Sequence, residues 1–587
     1  MSKNLSVEQP LLGYIKKMIE QVHGSKVLYL DKITTGIIAQ LLTQSQALEY
    51  NVFLMQQLGI EIKNNKNKRN NIAHLRAVVF VRPTDENVQY LINHLKDPKH
   101  EYYHIFFSNT LDDEQLRRLA HADVYEVVSC IQEYYCDVYP INDDLWTLNK
   151  NNSLCYYEEQ KLWNNEINNN LDREISGITS YLLATKKRPL IRYTQSSVIA
   201  KKMGLGIQDI IEAENELFGW SEPNTPPLLL ILDRKEDPIT PLLSQWTYQS
   251  MVHELLTINN SRVKLMNDNN KELVINPFDD KFFRININAT FGEIGTRIRD
   301  AVNEYTKNTR QNKQLLKGST IQDMQIIMEK YPELISKQGN VTKHVDITTS
   351  LSKIVNKRKL LDISTIEQEM VSNYDPKKHY TDLERTITNN FITDYDKIRL
   401  CIIFAVRYEN KKLDYVASLR DLLRNNIKNE EYKAYIELIN IFLRYFNVDS
   451  RKGKLFGDEA ADKDLIKKLH MFVKGGIKGI ENVYTQHKPL LYTIIDQAIK
   501  CKLSLDQFGT VNHIHKRQLK PKDIIIYIIG GATYEEALTV NKYNNTINDV
   551  NIVLGSSIIH NSQSFLNDVL NVYGRNINSS VPLTSKY

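Results

Sequence analysis

The chain has 587 residues, 42% of them hydrophobic and 25% charged, and a single core rarely grows past roughly 250–300 residues, so two to four domains are expected. Lys+Arg 75 against Asp+Glu 70 leaves a net charge of only +5, which argues against the concentrated basic face that a nucleic acid backbone demands. No apolar run approaches the roughly 20 residues that cross a bilayer.

In chain order, the first segment, MSKNLSVEQPLLGYIKKMIE, lacks the basic patch, apolar stretch and small-residue cleavage site of a secretory signal, so a cytosolic protein is expected. From residue 26 the chain alternates: KVLYLDK, TTGIIAQLLTQSQ, NVFLMQQL, LRAVVFVRPT, DENVQYLINHLK, YYHIFFSNT, DDEQLRRLAHA. Short β-rich runs between segments of helical period predict βαβ crossovers and a doubly wound parallel sheet. The basic run at 63–69 reads as a solvated loop. Leu116 and Leu119 share a helix face, and Val124, Val127, Ile131 and Tyr134 continue a helical stripe toward Glu133. If part of that stripe is open, an apolar pocket beside a carboxylate suits a peptide with a bulky and a basic side chain.

A second α/β signature arrives in pieces: LLLILD at 228–233, IIIYIIGG at 524–531 and NIVLG at 551–555, separated by nearly 300 mainly helical residues. Strands of one sheet divided by a helical insertion imply a discontinuous domain. Asp233, Arg234, Glu236 and Asp237 follow the first piece, and Pro238 and Pro241 stiffen the exit. These charges are expected at an exposed sheet edge, in a salt-bridged loop that forms the hinge into the insertion. Within the insertion, Pro332 interrupts two helical periods and implies a folded-back hairpin.

Candidate chemistry is sparse. The Asp233 and Asp237 pair fits no metal motif, and GGATYEEA at 530–537 lacks the third glycine of a dinucleotide turn. Its glycines are read as packing residues, with Thr533 capping the next helix. His344 and His487 have no spaced partner suggesting a ligand set. Cys130, Cys136, Cys155, Cys401 and Cys501 form no CxxC pair and are read as reduced packing residues.

The strings LLLILDRKEDPITPLLSQWTYQSMVHELL, ENVYTQHKPLL and IIGGATYEEALTV closely resemble the SM proteins, cytosolic syntaxin-binding regulators of SNARE-mediated membrane fusion, from about residue 10 to about 572. KVLYLDKITT, FVRPTDENVQYLI and GNVTKHV are similar to the endosomal and trans-Golgi branch. The resemblance implies an α/β fold in a three-domain arch: domain 1 at 1–140, a discontinuous α/β domain 2 at 141–235 and 485–587, and a mainly helical domain 3 at 236–484.

It also implies a non-enzymatic protein without cofactor or metal, peripheral to endosomal and Golgi membranes through its SNARE partners. Those partners are a Qa-type syntaxin, its N-terminal peptide and the assembled SNARE bundle, with tethering proteins as further candidates. The peptide pocket maps onto Leu116, Leu119, Val127, Ile131 and Glu133, and the syntaxin cleft onto Asp31, Thr34 and Thr35. An arginine of plasma-membrane relatives falls at Gly36. The hinge proline of the SNARE hairpin corresponds to Pro332, and positions approaching the vesicle SNARE to His344 and Val345. The alternatives are a nucleotide-dependent α/β enzyme using Gly530, Gly531 and the Asp233 loop, or a scaffold recruiting tethers.

Overall fold

The computed structural model of the protein describes residues 6–59, 74–157, 165–220, 225–265, 271–316, 341–409, 413–451, 455–456, 486–511 and 520–573. Pro332, the basic run at 63–69 and the C-terminal NINSSVPLTSKY lie outside them. The chain divides into two compact units, Met1–Asp233 with Asp496–Gly531 and Val540–Ile558, and Arg234–Ile495 with Ala532–Thr539 and Ile559–Tyr587.

In chain order the strands are β1 (Lys26–Leu30), β2 (Val52–Gln57), β3 (Arg76–Val81), β4 (Tyr103–Phe107), β5 (Val128–Glu133), β6 (Tyr139–Asn142), β7 (Leu145–Thr147), β8 (Leu190–Thr194), β9 (Leu228–Asp233), β10 (Arg262–Lys264), β11 (Glu272–Val274), β12 (Phe508–Thr510), β13 (Asp523–Ile529) and β14 (Asn551–Ser556). The first unit holds a five-stranded sheet in the order β2-β1-β3-β4-β5 and a seven-stranded sheet in the order β12-β8-β9-β13-β14-β7-β6. All pairs of the first sheet are parallel, as its alternation with helices predicts.

Helices α1 (Glu8–Glu20), α2 (Lys32–Leu41), α3 (Gln44–Glu49), α4 (Asp85–Lys96), α5 (Asp113–Ala122), α6 (Asn165–Thr185) and α7 (Val198–Ala213) belong to this unit. Their starts are written in the sequence: Asp31, Thr84 and Asp112 each accept a backbone N–H of the following turn and so cap α2, α4 and α5. One face of the first sheet gives Val27, Tyr29, Val79 and Ile105 to a core with Val88, Leu91 and Leu119 from α4 and α5. The other gives Leu28, Leu30, Phe80 and Phe106 to a second core that continues through α1 to Trp146, Tyr181 and Tyr527.

The three scattered strand pieces meet as expected. Ile524 of β13 stands opposite Leu228 of β9 on one side and Ile552 of β14 on the other. Strands buried on both faces explain their unbroken aliphatic runs.

Two expectations are corrected. The helical stripe from Leu116 to Tyr134 does not exist, because α5 ends at Ala122 and Val128–Glu133 is a strand paired with β4. The Asp123 carboxylate accepts the backbone N–H groups of Val127 and Val128 and turns the chain between them. The charges after β9 are not exposed either. Asp233, Arg234 and Asp237 are buried, and Arg234 lies in an ion pair with Glu536.

In the second unit, α8 (Tyr248–Leu256), α9 (Lys281–Asn286), α10 (Phe291–Leu316), α11 (341–358), α12 (Leu360–Ser372), α13 (Pro376–Thr388) and α14 (Asp394–Arg407) form a helical body with the β10–β11 hairpin. Every residue of α14 from Tyr395 to Val406 is buried, so this helix is central, and the charges it carries must be paired inside. No described helix is long and apolar enough to cross a membrane.

Candidate functional site

At the open edge of the five-stranded sheet, beside β5, lies a groove of about 590 Å³ lined by Tyr14, Lys17, Leu111, Leu116, Ile131, Gln132, Glu133, Tyr134 and Tyr135. That volume lies within the roughly 300–1,000 Å³ usual for binding clefts. Because β5 sits at the edge, it is flanked by α5 on one face and α1 on the other. Ile131 packs toward the α5 core, whereas the side chains of Gln132 and Tyr134 meet Gln21 of α1 at 3.1 and 3.0 Å.

Leu116 is 43% exposed and offers its side chain to the groove. Glu133 is held firmly: its oxygens accept the Leu111 N–H and the Tyr135 hydroxyl, each at 2.8 Å. Burial, and then the Glu133 carboxylate, push the Tyr135 phenol well up, so it remains the donor. Of the five residues assigned to a peptide pocket, Leu116, Ile131 and Glu133 come together here. Leu119 is in the core at 1% exposure, and Val127 is half-buried against the same core. Tyr14 and Lys17 were missed. They lie more than 90 residues from Leu116 in sequence, and the one available signal is their i, i+3 spacing on α1 away from the buried Leu11, Ile15 and Met18.

At the C-terminal tip of β1, Asp31 and Thr34 are buried. One Asp31 oxygen accepts the Ile33 and Thr34 N–H groups, and the other accepts the Arg82 N–H at 2.7 Å and the Asn87 amide at 2.8 Å. Thr34 donates to the Phe80 carbonyl at 2.8 Å. These two side chains therefore tie β1, α2, β3 and α4 together, and Thr35 alone of the three is exposed. Gly36 is closed to any larger residue, since a Cβ there would lie 2.5 Å from the Tyr139 ring.

His344 is fully buried at the start of α11. Its Nε2 is 2.9 Å from an Asp280 oxygen, and its Nδ1 is 2.7 Å from the Tyr248 hydroxyl. An ionised carboxylate only accepts, which puts the ring proton on Nε2 and makes Tyr248 the donor to Nδ1. Both ring nitrogens are thus engaged inside the unit, and neighbouring Val345 is only half-buried. Burial alone would raise the Asp280 carboxyl, but the hydrogen bond from His344 and the Lys343 ammonium 2.6 Å away bring it down to about 2.

A carboxyl depressed from 3.8 to about 2 contributes stability that is fully present above about pH 4 and lost as pH falls toward 2. Asp280→Asn is expected to cost about 2 kcal/mol at pH 7 by urea unfolding, with the deficit shrinking between about pH 4 and pH 2.

The sequence model described as the Sec1 family matches residues 26–568. The chain belongs to the Sec1 family. Among curated relatives it is similar to vacuolar protein sorting-associated protein 45 of Mus musculus, 39% identical with 95% of each chain covered. It is also similar to the protein of that name from Dictyostelium discoideum, 37% identical with 98% of this chain and 99% of the relative covered. Among solved structures it superposes on the SM protein Vps45 in complex with the Qa SNARE Tlg2 at a TM-score of 0.84 and 34% identity, covering 99% of this chain and 100% of the other.

The turn that in another fold could take a nucleotide is put to structural use in this Sec1 family chain. Gly530 and Gly531 have φ of +82° and +93°, a conformation that favours glycine. Thr533 and Glu536 then form a reciprocal cap on the following helix, with the Glu536 carboxylate accepting both the N–H and the hydroxyl of Thr533. A buried carboxylate at the helix start repels a phosphate.

Proposed function

We propose that this protein regulates SNARE-mediated vesicle fusion in the endosomal and trans-Golgi pathway by binding a syntaxin-type Qa SNARE and templating its assembly with partner SNAREs. The observation that carries the reading is the groove beside β5, an apolar cleft between a fixed carboxylate and a lysine. Such a cleft suits an extended peptide with a bulky anchor, as the N-terminal peptide of a syntaxin would supply. The complex of the similar SM protein Vps45 with the Qa SNARE Tlg2 supports the partner class.

In this reading Leu116, Ile131 and Glu133 contact the peptide, while Leu119 and Val127 support the groove from the core. The surface around Asp31, Thr34 and Thr35 meets the syntaxin bundle, with Thr35 as the contact and the other two shaping the tip of β1. The segment around Pro332, outside the described residues, and Val345 are the proposed contacts to a vesicle SNARE, and His344 fixes the start of α11. The protein acts as a binding template rather than an enzyme, with no cofactor, and it reaches endosomal and Golgi membranes through its SNARE partners.

Titration calorimetry with the cytosolic part of a Qa SNARE tests this directly. Wild type binds the intact SNARE and its isolated N-terminal peptide, and Leu116→Asp loses the peptide while keeping the wild-type unfolding midpoint. Equal peptide affinity in the folded variant removes the groove from the account.

A further inference from the structure

We propose that the N-terminal edge of the five-stranded sheet docks directly on a membrane surface, with Arg76 on the phosphate of an anionic lipid headgroup and the exposed turn at Val124 and Tyr125 entering the interface beside it.

The edge is a continuous feature of the first unit. The Arg76 N–H donates to the Ser25 carbonyl at 3.0 Å, the Ala77 N–H to the Tyr102 carbonyl at 2.9 Å and the Tyr103 N–H to the Val127 carbonyl at 2.8 Å. The starts of β1, β3, β4 and β5 therefore stand in one row. In a parallel sheet this is the end opposite the tip of β1 that carries Asp31 and Thr35.

Two cations share one face of that row. Lys26 and Arg76 are direct partners across β1 and β3, and residues opposite each other in a sheet point to the same side. Lys26 is 3% exposed and donates to the Tyr50 carbonyl at 2.7 Å; burial, and then the Arg76 charge, lower its ammonium. Among the described residues no carboxylate pairs with either cation, and no hydrogen bond engages the Arg76 guanidinium. Glu101 and Glu126 also stand on this edge, exposed, and neither pairs with Arg76. The guanidinium carbon lies 5.6 Å from the centre of the Tyr102 ring. Held against an aromatic ring, it keeps its planar fork of N–H donors for an outside anion, and that fork matches a phosphate with two bonds at once.

The apolar part lies along the same edge. The Asp123 carboxylate accepts the Val127 and Val128 N–H groups, and the Asp123 carbonyl accepts the Glu126 N–H at 3.3 Å. Glu126 has a φ of +53°. This tight turn leaves Val124 76% and Tyr125 63% exposed, and Tyr102 is 50% exposed. Such a turn projects outward, which suits insertion into a fluid surface. Tyrosine places an apolar body in the lipid and a polar tip in water, while a neighbouring cation meets the headgroups.

The test is vesicle flotation, with phosphatidylcholine alone and with phosphatidylcholine carrying about 10% phosphatidylinositol monophosphate. Wild type is expected to float with the anionic vesicles only. Arg76→Gln is expected to weaken that binding roughly fivefold. Replacing both residues of the exposed turn, Val124→Ser and Tyr125→Ser, is expected to weaken it roughly tenfold while keeping the wild-type unfolding midpoint. In Tyr125→Trp, anionic vesicles bring a blue shift of emission that wild type lacks. Leu116→Asp floats as wild type does, which separates this edge from the peptide groove. No vesicle binding, equal binding to neutral vesicles, or wild-type binding by both folded variants overturns the proposal, as does Arg76-dependent capture of an acidic peptide in place of the vesicle.

Discussion

Arg234→Ala is expected to destabilise the second unit by about 3–5 kcal/mol, the usual cost of removing one partner from a buried ion pair. Arg234 is 1% exposed; one of its terminal nitrogens reaches both oxygens of Glu536 at 2.6 and 2.7 Å, and the other donates to the Asp237 carbonyl at 2.9 Å. Truncation leaves the Glu536 carboxylate, 2% exposed, with only Thr533 as a donor among the described residues. Around the same loop the Asp237 carboxylate accepts the Thr240 hydroxyl and the Leu490 N–H, and Thr240 also meets His487. Urea unfolding measures the loss. The double variant Arg234→Met, Glu536→Leu should recover much of it, because an apolar pair carries no orphaned charge. A single variant less than about 1 kcal/mol below wild type would show that water already solvates the pair.

Arg399→Ala is expected to cost a similar amount, about 3–5 kcal/mol, with a pH signature of its own. Arg399 is buried in α14, paired with Glu367 and Asp396 and donating to the Leu242 carbonyl. Burial works against its charge, but the two carboxylates more than offset this and raise the guanidinium. Asp396 keeps Arg358 after the substitution. Among the described residues Glu367 keeps only the N–H and hydroxyl of Ser244, and burial already raises its carboxyl above the usual range. Without Arg399 it rises further. A carboxyl raised in the folded state holds its proton more tightly folded than unfolded, so lowering the pH favours folding. The deficit of the variant should therefore narrow as pH falls from 7 toward about 4.5. A deficit constant over that window would mean that Glu367 finds another cation.

Much of the first unit was legible because its signals are local. KVLYLDK and LRAVVFV read as buried parallel strands; in the second unit Thr533 reads as a cap because a short hydroxyl near a helix start can accept a free N–H there. The aliphatic pieces at 228, 524 and 551 were assigned to one sheet because each is too apolar to face water. The burial of the Asp233 loop was illegible for a physical reason: its Arg234 is paired with Glu536, 302 residues away, and no period in a sequence reports a pair formed across such a separation. The stretch VVSCIQEYY fits helix and strand spacing alike, and the choice is made by pairing with β4, a tertiary fact. Leu116 and Glu133 were reachable from one stretch of chain, but the opposite wall of the groove comes from α1, and nothing near Tyr14 or Lys17 advertises a site.

Asp31 and His344 stand at positions expected from family likeness to meet SNAREs, and both are hydrogen-bonded within their own unit. Substituting either is expected to act through the surface beside it, whereas Leu116→Asp is expected to act on the proposed peptide contact.

As proposed, the protein binds SNAREs and promotes their assembly. Content mixing between vesicles bearing a Qa SNARE and vesicles bearing its partner SNAREs measures this most directly. Faster mixing is expected with the protein than without it, with no requirement for nucleotide and with loss of the acceleration in Leu116→Asp. Mixing rates unchanged by the wild-type protein, with every SNARE active in its absence, would contradict it.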